Sequence, residues 1–236
     1  MKWLRTLILF DHGDISSSAD WHTIHASYKN SIESIDHPLG TGALKLRRKM
    51  KDADGKWKRN GVKYLKERFF DHMTRAESWE PEAAVKFEQK RLQPSITLYP
   101  SGEEYHPEKA SSFGGFDFVT HTDAGVQVAI EWETGNISSS HRSLNKLTIA
   151  LQNGAIQVGV LIVPSRPLYR HLTDRIGNID ELSGYLRFWA ELKATTDRGL
   201  LAITVVEHDE LTDDPKHQYL PSGLDGRARE GRAKRR

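Results

Sequence analysis

The chain has 236 residues, of which 37% are apolar, and its formal net charge is +2. This apolar content suffices for one core of ordinary size, so we expect a single domain over residues 1–222 and a separate basic tail over 223–236. The longest apolar runs fall well short of the about 20 residues needed to span a bilayer, and the N-terminal run at 7–10 is too short for a signal peptide, so we expect a cytoplasmic protein without a membrane partner. The absence of cysteine excludes disulfides and thiolate metal sites. The sequence also lacks the His-Glu-x-x-His motif that would indicate a zinc site.

The positive charge is concentrated in two blocks. Residues 45–75 contain twelve Lys and Arg against four Asp and Glu, and residues 227–236 contain six against one. Basic blocks on an otherwise acidic chain suit local contact with phosphates, although solvated basic surface is an alternative interpretation. The tail is poor in apolar residues, so we expect it to be disordered when free.

The first half of the chain is loosely patterned. Its apolar periodicity and turn residues predict a strand or short helix at 3–10, a helix near 20–34, a turn at 37–40 and a helix at 62–73. Residues 88–115 contain several prolines and glycines and are predicted to form an irregular connection around one short strand at 95–99.

The second half has clearer periodicity. Residues 126–133 alternate apolar and polar side chains, as a half-buried strand does, and leucines at helical spacing follow over 137–153. Apolar runs rich in branched residues predict strands at 156–163 and 200–206, with helices near 166–174 and 180–193 between them. The order of strand, helix, strand, helix and strand predicts an α/β sheet with helices on both faces.

Three carboxylates are candidates for a metal site. Period two puts Glu131 and Glu133 on one strand face, and Asp117 lies near the end of the short preceding element at 116–119. Mg²⁺ prefers such acid oxygens, and a carboxylate that does not fully ligate the metal can take a proton from water. Asp followed 14 residues later by Glu-x-Glu is the pattern of the PD-(D/E)xK nuclease superfamily, with glutamate in place of the usual lysine. Alternating acids on a solvated strand are the simpler alternative.

The sequence around this pattern resembles the BamHI family of restriction endonucleases. The resemblance begins with Glu-Trp-Glu-Thr-Gly-Asn-Ile-Ser-Ser-Ser-His-Arg-Ser-Leu-Asn-Lys-Leu at 131–147 and continues through 159–164, 169–178 and 220–227. Together with neighbouring residues these segments cover most of 126–230. The first half is similar only at Arg59-Asn60-Gly61-Val62 with Lys66, and at Trp79 three residues before Glu82.

This resemblance implies a restriction-endonuclease-like fold with a central mixed sheet, and a type II enzyme that uses Mg²⁺, two ions per active site. Asp117 and Glu131 would bind metal with the Trp132 carbonyl, Glu133 would act as general base, and Glu82 would support the site. Glu77 and Glu80 are rivals for the role of Glu82. The implied substrate is double-stranded DNA containing GGATCC, cut after the first G to leave 5′-GATC overhangs, and the implied partners are a second copy of the chain and a cognate DNA methyltransferase.

The resemblance also implies which residues contact DNA. The expected readers of the major groove are Asn136, Ser138, Arg142, Asp174 and Arg175. Further DNA contacts are expected from Lys66, Gly223, Asp225, Gly226 and Arg227. Arg can bond guanine O6 and N7 together and Asp can accept from cytosine N4, which suits this role. The alternative is that Asn136 and Ser138 only cap a helix and that Asp174 and Arg175 form a surface ion pair.

A palindromic site requires a two-fold dimer. We expect the helix at 137–153 at the interface, with polar contacts from His141, Asn145, Thr148 and Gln152. Three other functions are open: a different nuclease of the same superfamily, a DNA-binding module without activity, and a glycoside hydrolase with two carboxylates. The last leaves the basic blocks and the recognition residues unexplained.

Overall fold

The computed structural model describes residues 1–85, 96–104, 115–173 and 176–221. The strands in chain order are β1 (Lys2–His12), β2 (Lys45–Arg47), β3 (Met50–Lys51), β4 (Trp57–Lys58), β5 (Glu80–Pro81), β6 (Phe118–His121), β7 (Gln127–Trp132), β8 (Val158–Pro164), β9 (Gly199–Glu207) and β10 (Glu210–Thr212). The helices are α1 (Ala19–Glu33), α2 (Lys63–Arg75), α3 (Ile137–Gln152), α4 (Arg166–Tyr169), α5 (Ile179–Leu182) and α6 (Leu186–Glu191).

Six strands form a central mixed sheet in the order β1-β9-β8-β7-β6-β5. Strands β7, β8 and β9 are parallel to one another, whereas β1 pairs antiparallel with β9, and β6 pairs antiparallel with both β7 and β5. All seven residues of β8 are buried because it lies in the middle of the sheet with both faces covered, which explains its nearly continuous apolar sequence.

Helices cover both faces of the sheet, as the sequence predicted. On one face α1 and α2 pack Trp21, Tyr28 and Phe69 against side chains such as Ile130 and Trp132 of β7. On the other face α3 and α6 pack Leu147, Leu151 and Trp189 against alternate strand residues such as Leu161 and Ile203. The two faces receive successive residues of each strand, so the odd-numbered positions 129 and 131 of β7 face α3.

The predicted elements differ from the observed ones where a local helix breaker or pairing with a distant segment determines where an element ends. Helix α4 ends at Tyr169, because residues 171–173 leave the helix to pair with Asn60. The helix expected at 180–193 is divided, with a 3-10 turn containing Gly184 between α5 and α6. The strand expected at 95–99 is absent over 96–99, where one isolated bridge joins Thr97 to Glu104.

Short strand pairs were not predicted. They are the parallel pair of β2 with β10, the hairpin of β3 with β4, and β5 at the sheet edge. Within the described ranges no helix is long and apolar enough to cross a bilayer. The predicted tail at 223–236 lies outside the described residues.

Candidate active site

Three predicted acidic residues lie at one level of the sheet on neighbouring strands. Phe118 of β6 is opposite Ile130 of β7, so the next pair along this antiparallel ladder is Asp117 with Glu131. On the other side, the Glu82 backbone N–H donates to the Asp117 carbonyl at 2.9 Å. Residues opposite each other in an antiparallel pair project to the same face, so the sheet register brings Asp117 and Glu131 together. The sequence had suggested that Asp117 lies within a short element at 116–119. In the structure it precedes β6, which begins at Phe118.

Of the three rivals for the fourth acid, only Glu82 is next to Asp117. Glu80 pairs with Val119 two positions further along β5, and Glu77 hydrogen-bonds through its N–H to His72. The Glu82 side chain is exposed and its φ of 52° is in the left-handed region. The backbone thus turns at Glu82, directly beside the Asp117 strand end.

Glu131 is buried and makes an ion pair with the ammonium group of Lys146 from α3. Burial, followed by repulsion from Asp117, raises the pKa of Glu131 to about 7, although Lys146 opposes this shift. Lys146 Nζ also donates to the Gly115 carbonyl at 2.8 Å and lies 4.5 Å from the centroid of Phe116. One lysine therefore links strand β7 to the segment that leads into Asp117.

Glu133 follows β7 and is also buried. Its Oε1 accepts from the Gly135 N–H at 2.5 Å, and its Oε2 is buried without a hydrogen-bond partner among the described residues. Burial raises the pKa of Glu133, against the lowering effects of Ser140, Gly135 and Arg142. A Cβ at position 135 would lie 2.8 Å from Ser139 Cβ, so a larger residue would force α3 to shift away from the turn that follows β7. Because its pKa is raised, the Glu133 carboxylate accepts a proton more readily than an exposed glutamate does.

Asp117 is held from two sides. Its Oδ2 accepts from the Trp132 N–H at 2.8 Å, and its Oδ1 is 3.4 Å from Lys66 Nζ of α2. Lys66, predicted as a DNA contact, is thus in the carboxylate site and lies 5.0 Å from the Phe70 ring centroid. Two lysines from helices on opposite faces of the sheet therefore meet the two central carboxylates.

The described residues contain no group of three Asp, Glu or His side chains arranged to hold a metal ion. The ammonium groups of Lys66 and Lys146 instead contact the carboxylates that we expected to bind Mg²⁺. The donors expected to bind the metal nevertheless fit a hard cation in chemistry, because they are carboxylate oxygens and because burial, followed by the charge of Asp117, raises the pKa of Glu131. Buried carboxylates of this kind are commonly neutralised by a cation.

The predicted DNA-reading residues lie next to this site at the start of α3. Asn136, Ser138 and Arg142 are exposed. Asn136 is also the N-cap of α3, since its side chain accepts from Ser139 N–H at 3.2 Å, so the alternative capping role is present. Asn136 forms a bridge with Ile176, which places the segment after residues 174 and 175 beside the end of β7. Asp174, Arg175, Gly223, Asp225, Gly226 and Arg227 lie outside the described residues.

The polar side of α3 differs from our expectation for a dimer interface. Thr148 is 2% exposed and its hydroxyl donates to the Leu144 carbonyl, so it cannot meet a partner at the surface. Asn145 Oδ1 accepts from Trp189 and Gln152 donates to Thr195, both within the same chain. Thr148 therefore lies on the covered side of α3, whereas Asn145 is exposed, and the interface expected along this helix stays a prediction.

Sequence reasoning missed Lys146 in this site and the structural role of Asn60 outside it. Lys146 lies beside the leucine face of α3, and nothing in the helical pattern distinguishes it from a solvated lysine. Asn60 is fully buried: its amide donates to the carbonyls of Arg47 and His171, and its Oδ1 accepts from Leu220 N–H. Its position in Arg-Asn-Gly-Val was the only signal in the sequence.

Comparison with known proteins places this geometry in a family. The family model described as restriction endonuclease BamHI matches residues 1–227. The type II restriction enzyme OkrAI of Oceanobacter kriegii is 32% identical over 228 residues, covering 97% of this chain and 99% of that protein. The type II restriction enzyme BamHI of Bacillus amyloliquefaciens is 33% identical over 129 residues, 53% of this chain and 52% of that protein.

The fold also has a solved relative. The restriction endonuclease BglII, whose crystal structure is a complex with a DNA 16-mer, superposes with a TM-score of 0.53 at 10% identity, covering 90% of this chain and 78% of that one. At this identity the likeness concerns the fold, and it agrees with the restriction-endonuclease-like architecture predicted from the sequence. The whole-length family match and the OkrAI alignment go further: the chain belongs to the BamHI family of restriction endonucleases.

Proposed function

We propose that this chain is a type II restriction endonuclease that cuts both strands of a palindromic DNA duplex with Mg²⁺. The observation that carries the proposal is the proximity of Asp117, Glu131 and Glu133 directly beside the exposed start of α3, where burial and then the charge of Asp117 raise the pKa of both glutamates. Family membership supports it over a binding module without activity, because all three acids are retained. Family membership also supports an endonuclease over a glycoside hydrolase.

Asp117 and Glu131 would hold the metal, with help from the Trp132 carbonyl and Glu82, and two ions per site are part of the proposal. When bound, Mg²⁺ polarises the scissile phosphate and lowers the pKa of water. Lys66 and Lys146 keep the two carboxylates in place before the ion arrives. The Glu133 carboxylate takes a proton from the attacking water, which its raised pKa favours. In-line attack on the phosphate leaves a 5′-phosphate end.

We assign recognition of the DNA bases to five residues. They are Asn136, Ser138 and Arg142 at the start of α3, together with Asp174 and Arg175. The three described residues are exposed at the turn that follows Glu133, so a duplex that presents a phosphate to the acids would present base edges to them. We propose GGATCC, cut after the first G, as the site. Removal of Arg175 or Asp174 is expected to cost about 1–3 kcal/mol of discrimination at one base pair. A methyltransferase of the same specificity would protect the host DNA.

A homodimer is required because one carboxylate site reaches one scissile phosphate, whereas a palindrome has two. Since Thr148 is buried, we assign the dimer contact to the exposed aromatic side chains next to His141. Tyr185 and Phe188 are 51% and 58% exposed, and Tyr185 packs edge-on against His141 at 4.4 Å between ring centroids. Exposed aromatic side chains of this size are typical of interface cores.

Digestion of DNA of known sequence with Mg²⁺, followed by mapping of both ends, tests the function directly. We expect cuts at GGATCC with four-base 5′ overhangs. Cuts at another sequence would mean a different nuclease of the same superfamily, and binding without any cut would mean a module without activity. Asp117→Ala should abolish cleavage and keep duplex binding in Ca²⁺, because it removes a metal ligand and leaves the base-reading residues intact. Cleavage by Asp117→Ala at the normal rate would show that the site is assigned wrongly.

A further inference from the structure

A basic hairpin with an exposed indole lies outside the carboxylate site. Strands β3 and β4 pair Met50 with Lys58 and Lys51 with Trp57. The Asp52 side chain closes the connecting turn by accepting from the N–H groups of Asp54 and Lys56 at 3.0 and 2.8 Å. The hairpin is therefore an ordered structure and not a loose loop.

Trp57 is 51% exposed, and two ammonium groups lie over its ring. Lys49 Nζ is 4.7 Å and Lys51 Nζ 5.3 Å from the ring centroid. A cation is attracted to the negative face of an indole, which favours one location for each flexible side chain. The indole thus holds two positive charges together at the surface, where they repel each other.

The hairpin forms one wall of a cleft of about 390 Å³. Its lining carries the cations Lys49, Arg59, Arg166 and Arg170 and the rings of Trp57 and Tyr169, and it contains no carboxylate. At the rim, Glu181 lies 3.8 Å from Arg166, and Asp213 lies 3.3 Å from Arg48.

The charges in this cleft affect one another. Burial, and then the charge of Arg59, lower the pKa of Lys49. Burial lowers the pKa of His171 as well, followed by the charges of Arg48 and Arg170. A fold that gathers cations at this cost, with no acid in the lining, is suited to a polyanion.

Backbone hydrogen bonds connect the cleft to the candidate active site. Thr173, at one end of the lining, donates through its N–H to the Asn60 carbonyl at 2.7 Å. Three residues later Ile176 bridges to Asn136, at the start of α3. The cleft therefore adjoins the segment that carries the proposed readers Asp174 and Arg175.

We propose that this cleft binds the sugar–phosphate backbone of DNA flanking the recognition sequence, a proposal that rests on the function proposed above. The cations Lys49, Lys51, Arg166 and Arg170 contact phosphates, and the exposed edge of Trp57 packs on a deoxyribose. Base reading remains with α3 and the segment before Ile176. The cleft adds affinity that depends on duplex length and not on sequence.

The test compares three duplexes by fluorescence anisotropy in Ca²⁺ over a series of salt concentrations. Two contain the recognition sequence, in 12 and 24 base pairs, and the third is a 24-base-pair duplex without it. Wild-type protein should bind the longer cognate duplex more tightly and with a steeper salt dependence. In Lys49→Gln/Lys51→Gln and in Arg166→Gln/Arg170→Gln that advantage should shrink towards onefold, and the log–log salt slope should fall by about 0.9 for each phosphate that the protein no longer neutralises.

Binding to the 12-base-pair duplex should be unchanged in both double variants. Trp57→Ala should behave like the lysine variant, whereas Trp57→Phe should restore part of the effect because it keeps a ring face. Lys29→Gln/Arg75→Gln is the matched control, because it removes two charges that are already in exposed ion pairs on α1 and α2.

Equally weakened binding to the short and long cognate duplexes, or an unchanged salt slope, would overturn the proposal. A protein that binds the 24-base-pair duplexes through these residues but never cuts would support the cleft and reject the endonuclease function. The two proposals therefore fail separately.

Discussion

Replacing Glu131 with Gln is expected to stabilise the metal-free protein while abolishing cleavage. Glu131 is 8% exposed and its pKa is raised to about 7 from an ordinary 4.5, chiefly by burial. Each pKa unit corresponds to about 1.4 kcal/mol, so the ionised carboxylate costs the fold about 3 kcal/mol even with Lys146 beside it. Glutamine has the same shape and no charge, and it removes this cost.

The sign follows from proton binding. Between pH 4.5 and 7 the unfolded chain has lost the Glu131 proton and the folded chain keeps it, so stability falls as pH rises through this window. Above pH 7 both states are ionised and the penalty is complete. The stability gained by Glu131→Gln should therefore be about 0.2 kcal/mol at pH 4, about 2 kcal/mol at pH 6 and about 3 kcal/mol at pH 8.

Urea denaturation in EDTA at these pH values, at one protomer concentration, measures the difference. Glu191→Gln is the control: this exposed acid pairs with Arg187, and its loss should change stability by less than about 0.5 kcal/mol at every pH. Added Ca²⁺ should stabilise the wild type and leave Glu131→Gln almost unchanged. A Glu131→Gln protein that is no more stable at pH 8 than at pH 4, relative to wild type, would refute the reasoning.

Three further results are expected. Lys146→Met should move the pH midpoint of Ca²⁺ binding upward in calorimetry, because Lys146 lowers the pKa of Glu131. Lys146→Arg should leave this midpoint unchanged. An unchanged midpoint in Lys146→Met would mean that Lys146 has no part in the site. Asn60→Ala should lower the free energy of unfolding by about 3 kcal/mol, because it leaves buried backbone groups without hydrogen bonds. The control Asn30→Ala changes an exposed residue and should leave the free energy of unfolding unchanged. An equally small effect of both substitutions would contradict the role of Asn60. Phe188→Asp should shift sedimentation towards monomer and slow double-strand cutting, and an unchanged dimer would place the interface elsewhere.

The sequence by itself determined the α/β class and the elements with strong periodicity. β7, α3, β8 and β9 were predicted within about two residues, because alternation and helical spacing are local properties that burial on one or two faces imposes. The period of two also predicted that Glu131 and Glu133 lie on the same face of one strand, and the motif around them indicated the family. Capping by Asn136 was also foreseeable, since it depends on residues three positions apart.

Only the tertiary structure decided which distant residues meet these acids. Lys66 and Lys146 come from opposite faces of the sheet, and Glu82 reaches Asp117 through an edge strand of two residues that has no recognisable pattern. The Asn145 side chain of α3 accepts a hydrogen bond from Trp189 of α6, which is remote from it in sequence. Side-chain periodicity records which face of an element is covered, but it carries no information about which element covers it, and the ion pairs of this site form across such contacts.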